Sequence, residues 1–142
     1  MKEREVTPRG EYILRLERGE AVLSTLTEFC KRKGILSGSF TAIGAVMQSK
    51  IGFYDLAAKK YGSFEYPEER EVASMTGNIS QVGGSPFIHA HATLSDMKSN
   101  DPIGGHVFEA KVAVTLEVHL IAFNESVSRA SDDEIGLKLL DL

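Results

Sequence analysis

Three of the four histidines of this chain fall close together: His89 and His91 form a His-x-His pair, and His106 follows a Gly104-Gly105 step. Alternate residues of an extended strand point to the same side, so His89 and His91 can address one ion while a neighbouring strand brings the third imidazole. Imidazole nitrogen suits a borderline cation such as Zn²⁺ at about 2.0–2.1 Å, and three histidines with one position left open is a pattern that zinc enzymes use. The expected metal ligands are therefore His89, His91 and His106, with zinc the expected ion. The plainer alternative is a set of polar edge histidines bonded to backbone carbonyls. Ala90, Ala92, Gly104 and Gly105 leave room for close backbone approach or serve packing alone. Counted by parity, His119 falls on the strand face opposite to His106 and reads as structural or interfacial.

Catalysis at such a site needs a positioned water and a general base besides the metal. Asp96, Asp101, Glu109 and Glu117 are the carboxylates within reach, and no spacing singles one out. A small zinc-dependent hydrolase or lyase would use Glu109 or Asp96 as its base. Cys30 lies on the apolar side of a helical segment, where a buried, inert thiol is the ordinary reading. The Gly pairs at 83–84 and 104–105 lack the spacing of a phosphate-binding loop.

The elements that must position these groups follow from periodicity. Tyr12, Leu14 and Leu16 alternate within residues 11–17, which predicts a first strand. Val22, Leu26, Phe29 and Cys30 recur at helical spacing, and Lys31-Arg32-Lys33-Gly34 closes that helix with basic residues at its negative end. Strands are expected over 39–55, 61–66, 70–79, 86–93 and 106–123, with Ala57–Lys60 as a hairpin tip. Residues 95–105 read as an eleven-residue loop, 126–134 as a second polar stretch, and Leu137, Leu139 and Leu140 as a closing strand or docked tail. In the longest strand Val112, Val114, Leu116, Val118 and Leu120 share one face, and Ala113, Thr115, Glu117, His119 and Ile121 the other. Two semi-apolar faces suggest that a second copy covers one of them. One strong helix followed by strands gives an α+β class, a mostly antiparallel sheet with one main helix packed on it.

The chain has 142 residues, 42% hydrophobic and 25% charged, with a net charge of −4, the composition of one ordinary globular domain spanning residues 1–142 with a core from about residue 10. Mild acidity gives no general attraction for nucleic acid, which basic clusters normally provide. No apolar run approaches a membrane span, no signal segment is expected, and the single Cys30 suits a reducing compartment, so cytoplasm is the expected location.

The succession Arg70–Ser80, then Gly84-Ser85-Pro86-Phe87-Ile88-His89-Ala90-His91, then Gly104-Gly105-His106, resembles the plants-and-prokaryotes-conserved (PPC) domain family in its stand-alone prokaryotic form. Arg15-Leu16, Gly19-Glu20, Phe29-Cys30 and Ala42-Ile43-Gly44-Ala45 extend the match over nearly the whole chain from about Gly10. The resemblance implies an α+β domain assembling as a homotrimer, with His89, His91 and His106 holding a metal. In plants the domain follows an AT-hook, which enters the minor groove. Arg4 and Arg9-Gly10 do not form that hook. DNA binding is therefore not carried over with the fold, and a DNA-binding regulator stays behind a regulatory or interaction role with an unidentified protein or small molecule.

Overall fold

The computed structural model describes residues Met1–Leu142 as β1 (Pro8–Glu17), α1 (Val22–Lys33), β2 (Gly38–Asp55), β3 (Lys60–Tyr66), β4 (Arg70–Val82), β5 (Ser85–Asp96), β6 (Pro102–Phe123), β7 (Ser128–Asp132) and β8 (Leu137–Asp141). The strands form one sheet in the order β3-β2-β6-β5-β4-β7-β8, with β1 also on β6. Because β2 pairs β4 as well, strands β2, β6, β5 and β4 close into a ring. Every ladder is antiparallel apart from a single parallel bridge, Gln81 to Ser128. The expected mostly antiparallel sheet with one helix is therefore present.

The helix buries Val22, Leu26, Phe29 and Cys30 against Leu16, Met75, Ala90, Ala92, Leu94, Val112 and Leu116 of the strands. Full burial of one such aliphatic side chain contributes about 1.5–3 kcal/mol. Gly34 adopts the left-handed conformation (φ 62°) that ends the helix, and the Ile35 N–H donates to the Cys30 carbonyl at 2.9 Å. Arg9 donates to the carbonyls of Lys33 at 2.8 Å and Gly34 at 3.1 Å, beside the basic last turn. The Lys31-Arg32-Lys33 run thus sits where the helix dipole favours cations.

Two expectations are corrected. Residues 95–105 are not an eleven-residue loop: Thr93 pairs with Gly104, Leu94 with Ile103 and Ser95 with Pro102. The turn shrinks to 97–101, where one Asp96 carboxylate oxygen accepts the N–H groups of Lys98 at 2.8 Å and Ser99 at 2.9 Å. Leu94 is fully buried and Ile103 packs on the core, so the pairing continues through a segment whose polarity suggested a loop. The second correction concerns β6. Its register against β2 jumps three times, between Gly44 and Val46, between Met47 and Lys50, and between Lys50 and Ile51. Each jump resets which side chains face inward, since simple alternation holds only along an unbroken ladder. Val114 is consequently 61% exposed while Ala113 is buried. His119 and His106 both flank buried valines, Val118 and Val107, and both point away from the core, so the parity argument that placed them on opposite faces fails.

Gly105 has φ +149°, and a Cβ there would collide with the carbonyl oxygen of Gly52, which faces His106 in the β2–β6 ladder. A glycine at this point lets the two backbones meet immediately before His106. Gly105→Ala is expected to lower stability by about 1–3 kcal/mol, read as a reduced denaturant midpoint at unchanged slope; an unchanged midpoint would remove this role.

Candidate metal centre

On β5, Ala90, Ala92 and Leu94 point inward to the core shared with α1, so His89 and His91 occupy the opposite face. Two turns fix their partners. Gly83 (φ 58°) and Gly84 (φ 79°) make a two-residue hairpin of the kind that needs positive φ at both positions, closing Val82 on Ser85. That register sets Asn78 opposite His89 and Thr76 opposite His91. On the other side of β5, the β6 ladder sets His106 directly across from His91.

The three imidazoles converge. Ring centroids lie 5.2 Å apart for His89–His91, 5.0 Å for His89–His106 and 5.5 Å for His91–His106. One ring nitrogen from each residue lies within 4.8 Å of the others. Tetrahedral zinc at about 2.05 Å from each nitrogen needs separations of roughly 3.3 Å, a contraction within reach of side-chain rotation. His89 and His106 are half-buried and His91 is exposed. Tyr61 and Phe108 pack on His106 at ring distances of 5.0 and 4.7 Å, and the His106 Nδ1 is buried with no hydrogen-bond partner. An orphaned buried ring nitrogen within a cluster of imidazoles fits the ligation of a cation.

Charge state agrees with that fit. Burial first, then His106, Arg129 and His91, push His89 down to about 4. Burial and the same charged neighbours, His91 and Arg129, hold His106 below its ordinary value. These two rings are neutral at pH 7, the form that ligates metal.

Beside His89 stands Arg129 from β7. Its Nε donates to Ser80 Oγ at 2.8 Å, Nη1 to the Lys138 carbonyl at 2.8 Å, and Nη2 to Asn78 Oδ1 at 3.0 Å, with His89 Nδ1 at 3.4 Å. Burial draws its guanidinium below the usual arginine value. Sequence reading missed Arg129, Asn78, Tyr61 and Phe108. The Gly83-Gly84 hairpin could have revealed Asn78, because a two-residue turn fixes the β4–β5 pairs as far as the bulge beyond Ser74; nothing local announces Arg129.

The carboxylates considered as bases lie elsewhere. Asp96 caps its own turn, its carboxyl lowered by the N–H groups of Ser99 and Lys98, and it stands 3.7 Å from Arg70. Glu109 pairs with Lys50 and Glu117 with Ile43 in the β2 ladder, and Asp101 closes the 97–101 turn. No hydrogen bond joins any of them to the three histidines, whereas His119 meets Glu11 at 3.2 Å. Cys30 lies in the core, its thiol pushed up to about 11 by burial. A hollow of about 600 Å³ runs between β1 and α1 past Arg15, Phe29 and Arg32, and none of the three histidines lines it. No helix is long and apolar enough to cross a membrane.

Solved structures share the whole architecture. A metal-containing protein from Archaeoglobus fulgidus is 36% identical with a TM-score of 0.92, covering 98% of each chain. A plant- and prokaryote-conserved protein from Pyrococcus horikoshii is 29% identical with a TM-score of 0.92, covering 100% of this chain and 98% of its own. A candidate DNA-binding protein from Ralstonia eutropha is 33% identical with a TM-score of 0.85, covering 96% of this chain and 93% of its own. Among curated proteins there is no match. The profile of the Plants and Prokaryotes Conserved domain matches residues 3–124, and with the fold and motifs above this chain belongs to that family.

Proposed function

We propose that this chain is a cytoplasmic PPC domain that holds zinc through His89, His91 and His106, assembles as a homotrimer, and acts in regulation or protein contact. The observation that carries the reading is the convergence of three imidazoles from the paired strands β5 and β6, with no carboxylate bonded to them. The Archaeoglobus relative, described as metal-containing, supports it. When bound, zinc supplies a Lewis-acid centre with one open position. The chain's own residues orient the ligands: Tyr61 and Phe108 pack against His106, and Arg129 stands beside His89. The trimer is supported by apolar side chains left in solvent on the outer strand faces, Ile13 at 79% and Ile43 at 59% exposure. A lone buried thiol suits the cytoplasm. A hydrolase or lyase is less well supported, because neither Asp96 nor Glu109 reaches the cluster by a hydrogen bond. The DNA-binding reading draws on the description of the Ralstonia relative; a salt-sensitive mobility shift would favour it, and no shift at low salt would remove it.

Elemental analysis of untagged protein should find about one zinc per chain, falling to none when all three histidines become alanine. Each single alanine variant is expected to weaken zinc by more than about 100-fold, since even partners of ligands cost 10–100-fold. Sedimentation at micromolar concentration should give a trimer; a clean monomer would sink that assignment.

Acid should act in a defined direction. The folded value of His89, about 4, lies below the unfolded value near 6.5. The native state therefore binds fewer protons than the unfolded one. This contribution is fully present above pH 6.5 and is lost as pH falls toward 4. Metal-free protein should lose thermal stability across that window, and bound zinc should be released in the same direction. Full zinc occupancy at pH 4 would overturn a three-histidine site.

A further inference from the structure

Arg129 is half-buried beside the histidine cluster, and every acceptor it meets is neutral: Ser80 Oγ, Asn78 Oδ1, the Lys138 carbonyl and His89 Nδ1. It forms no ion pair. The Phe87 ring lies 5.0 Å from its guanidinium carbon and covers part of the group. A guanidinium carries five N–H donors and cannot shed its charge in a protein. Ser80, Asn78 and the Lys138 carbonyl take three of the five, and a His89 ring committed to a metal accepts none, which leaves one hydrogen on each Nη and the positive charge without an anionic partner. An uncompensated cation removed from water is costly unless something of opposite charge meets it. The same face presents three imidazoles, and no carboxylate of this chain bonds to any of them.

We infer that the open face of the histidine cluster receives a small molecule through a carboxylate or phosphate group, whose charge is met by Arg129. The inference rests on the metal reading, because a divalent ion on three neutral ligands adds to the positive charge that Arg129 already provides. Arginine suits these oxyanions in particular, through charge-assisted and directional N–H donors. Asn78 controls the charge: its Oδ1 already accepts from Arg129 at 3.0 Å, so an isosteric carboxylate at this position would keep the hydrogen bond and cancel the cation from within.

The test uses the full chain loaded with cobalt(II), its occupancy fixed by elemental analysis and its visible absorption followed during titration with acetate and, separately, inorganic phosphate. The parent should hold about one cobalt per chain and show a saturable spectral change, the tighter-binding anion naming the head group. Asn78→Asp should retain its cobalt and bind the anion at least tenfold more weakly. Arg129→Gln should behave likewise, and should it fail to fold, Asn78→Asp alone decides. A role for Arg129 limited to holding β7 and His89 in place predicts parental anion affinity in an Arg129→Gln variant that retains its cobalt. Parental affinity in either variant, or a cobalt-loaded parent with no saturable response, overturns the inference while leaving the metal site standing. A parent that takes up no metal overturns both.

Discussion

The register between β5 and β6, which sets His106 directly across from His91, is the constraint on which the histidine face depends. It is held from beneath. Leu94 and Val107 are almost wholly buried, and Ala90 and Ala92 lie against the helix layer. A slip of one residue would turn Val107 to solvent, losing about 1.5–3 kcal/mol of burial, and would drive His106 into the core without partners. Hydrophobic alternation on the inner face therefore specifies the chemistry of the outer one. The short turn at 97–101, closed by the Asp96 carboxylate, leaves the two strands no slack to slide.

Local patterns in the sequence were sufficient where the determining interactions are local. The helix over 22–33 follows from apolar spacing and a left-handed glycine, and its predicted buried face of Val22, Leu26, Phe29 and Cys30 is the observed one. His89 and His91 share a face because two residues of one strand must. The bulges in β6 were not legible, because they arise from pairing with β2, some sixty to seventy positions earlier in the chain; Lys50 faces Glu109 and Gly44 faces Leu116. The same long-range ladder made Val114 an exposed residue and invalidated the parity assigned to His119. Arg129 was invisible for a related reason. It reaches His89 across 40 residues, from a strand that touches β4 through a single bridge.

Net charge is a poor guide to the field at this site. The chain carries −4 overall, yet six of its twenty acidic groups are held in ion pairs away from the cluster: Glu17 with Arg15, Glu28 with Lys31, Glu65 with Lys50, Glu69 with Arg18, Asp96 with Arg70 and Glu11 with His119. Most of these are exposed pairs that contribute little to stability. No ion pair or hydrogen bond brings a carboxylate to Arg129 or to the three histidines, so a mildly acidic protein places an unpaired guanidinium on a partly desolvated face, where electrostatic interactions are stronger than in water.

The wall of that patch is built unlike the rest of the molecule. Strands β7 and β8 contribute no member to the main core cluster. Side chains from elsewhere fasten them: the Tyr54 hydroxyl donates to the Ile135 carbonyl at 2.6 Å, Lys59 to the Asp133 carbonyl at 2.8 Å, and Arg129 reaches back to Ser80 and Asn78. Directional bonds of this kind fix orientation more closely than apolar burial does, because they fail when geometry drifts. The guanidinium is consequently aimed at the cluster by the same bonds that hold the terminal hairpin to β4. In this fold the histidines take their positions from the packed core and the arginine takes its position from polar contacts outside it.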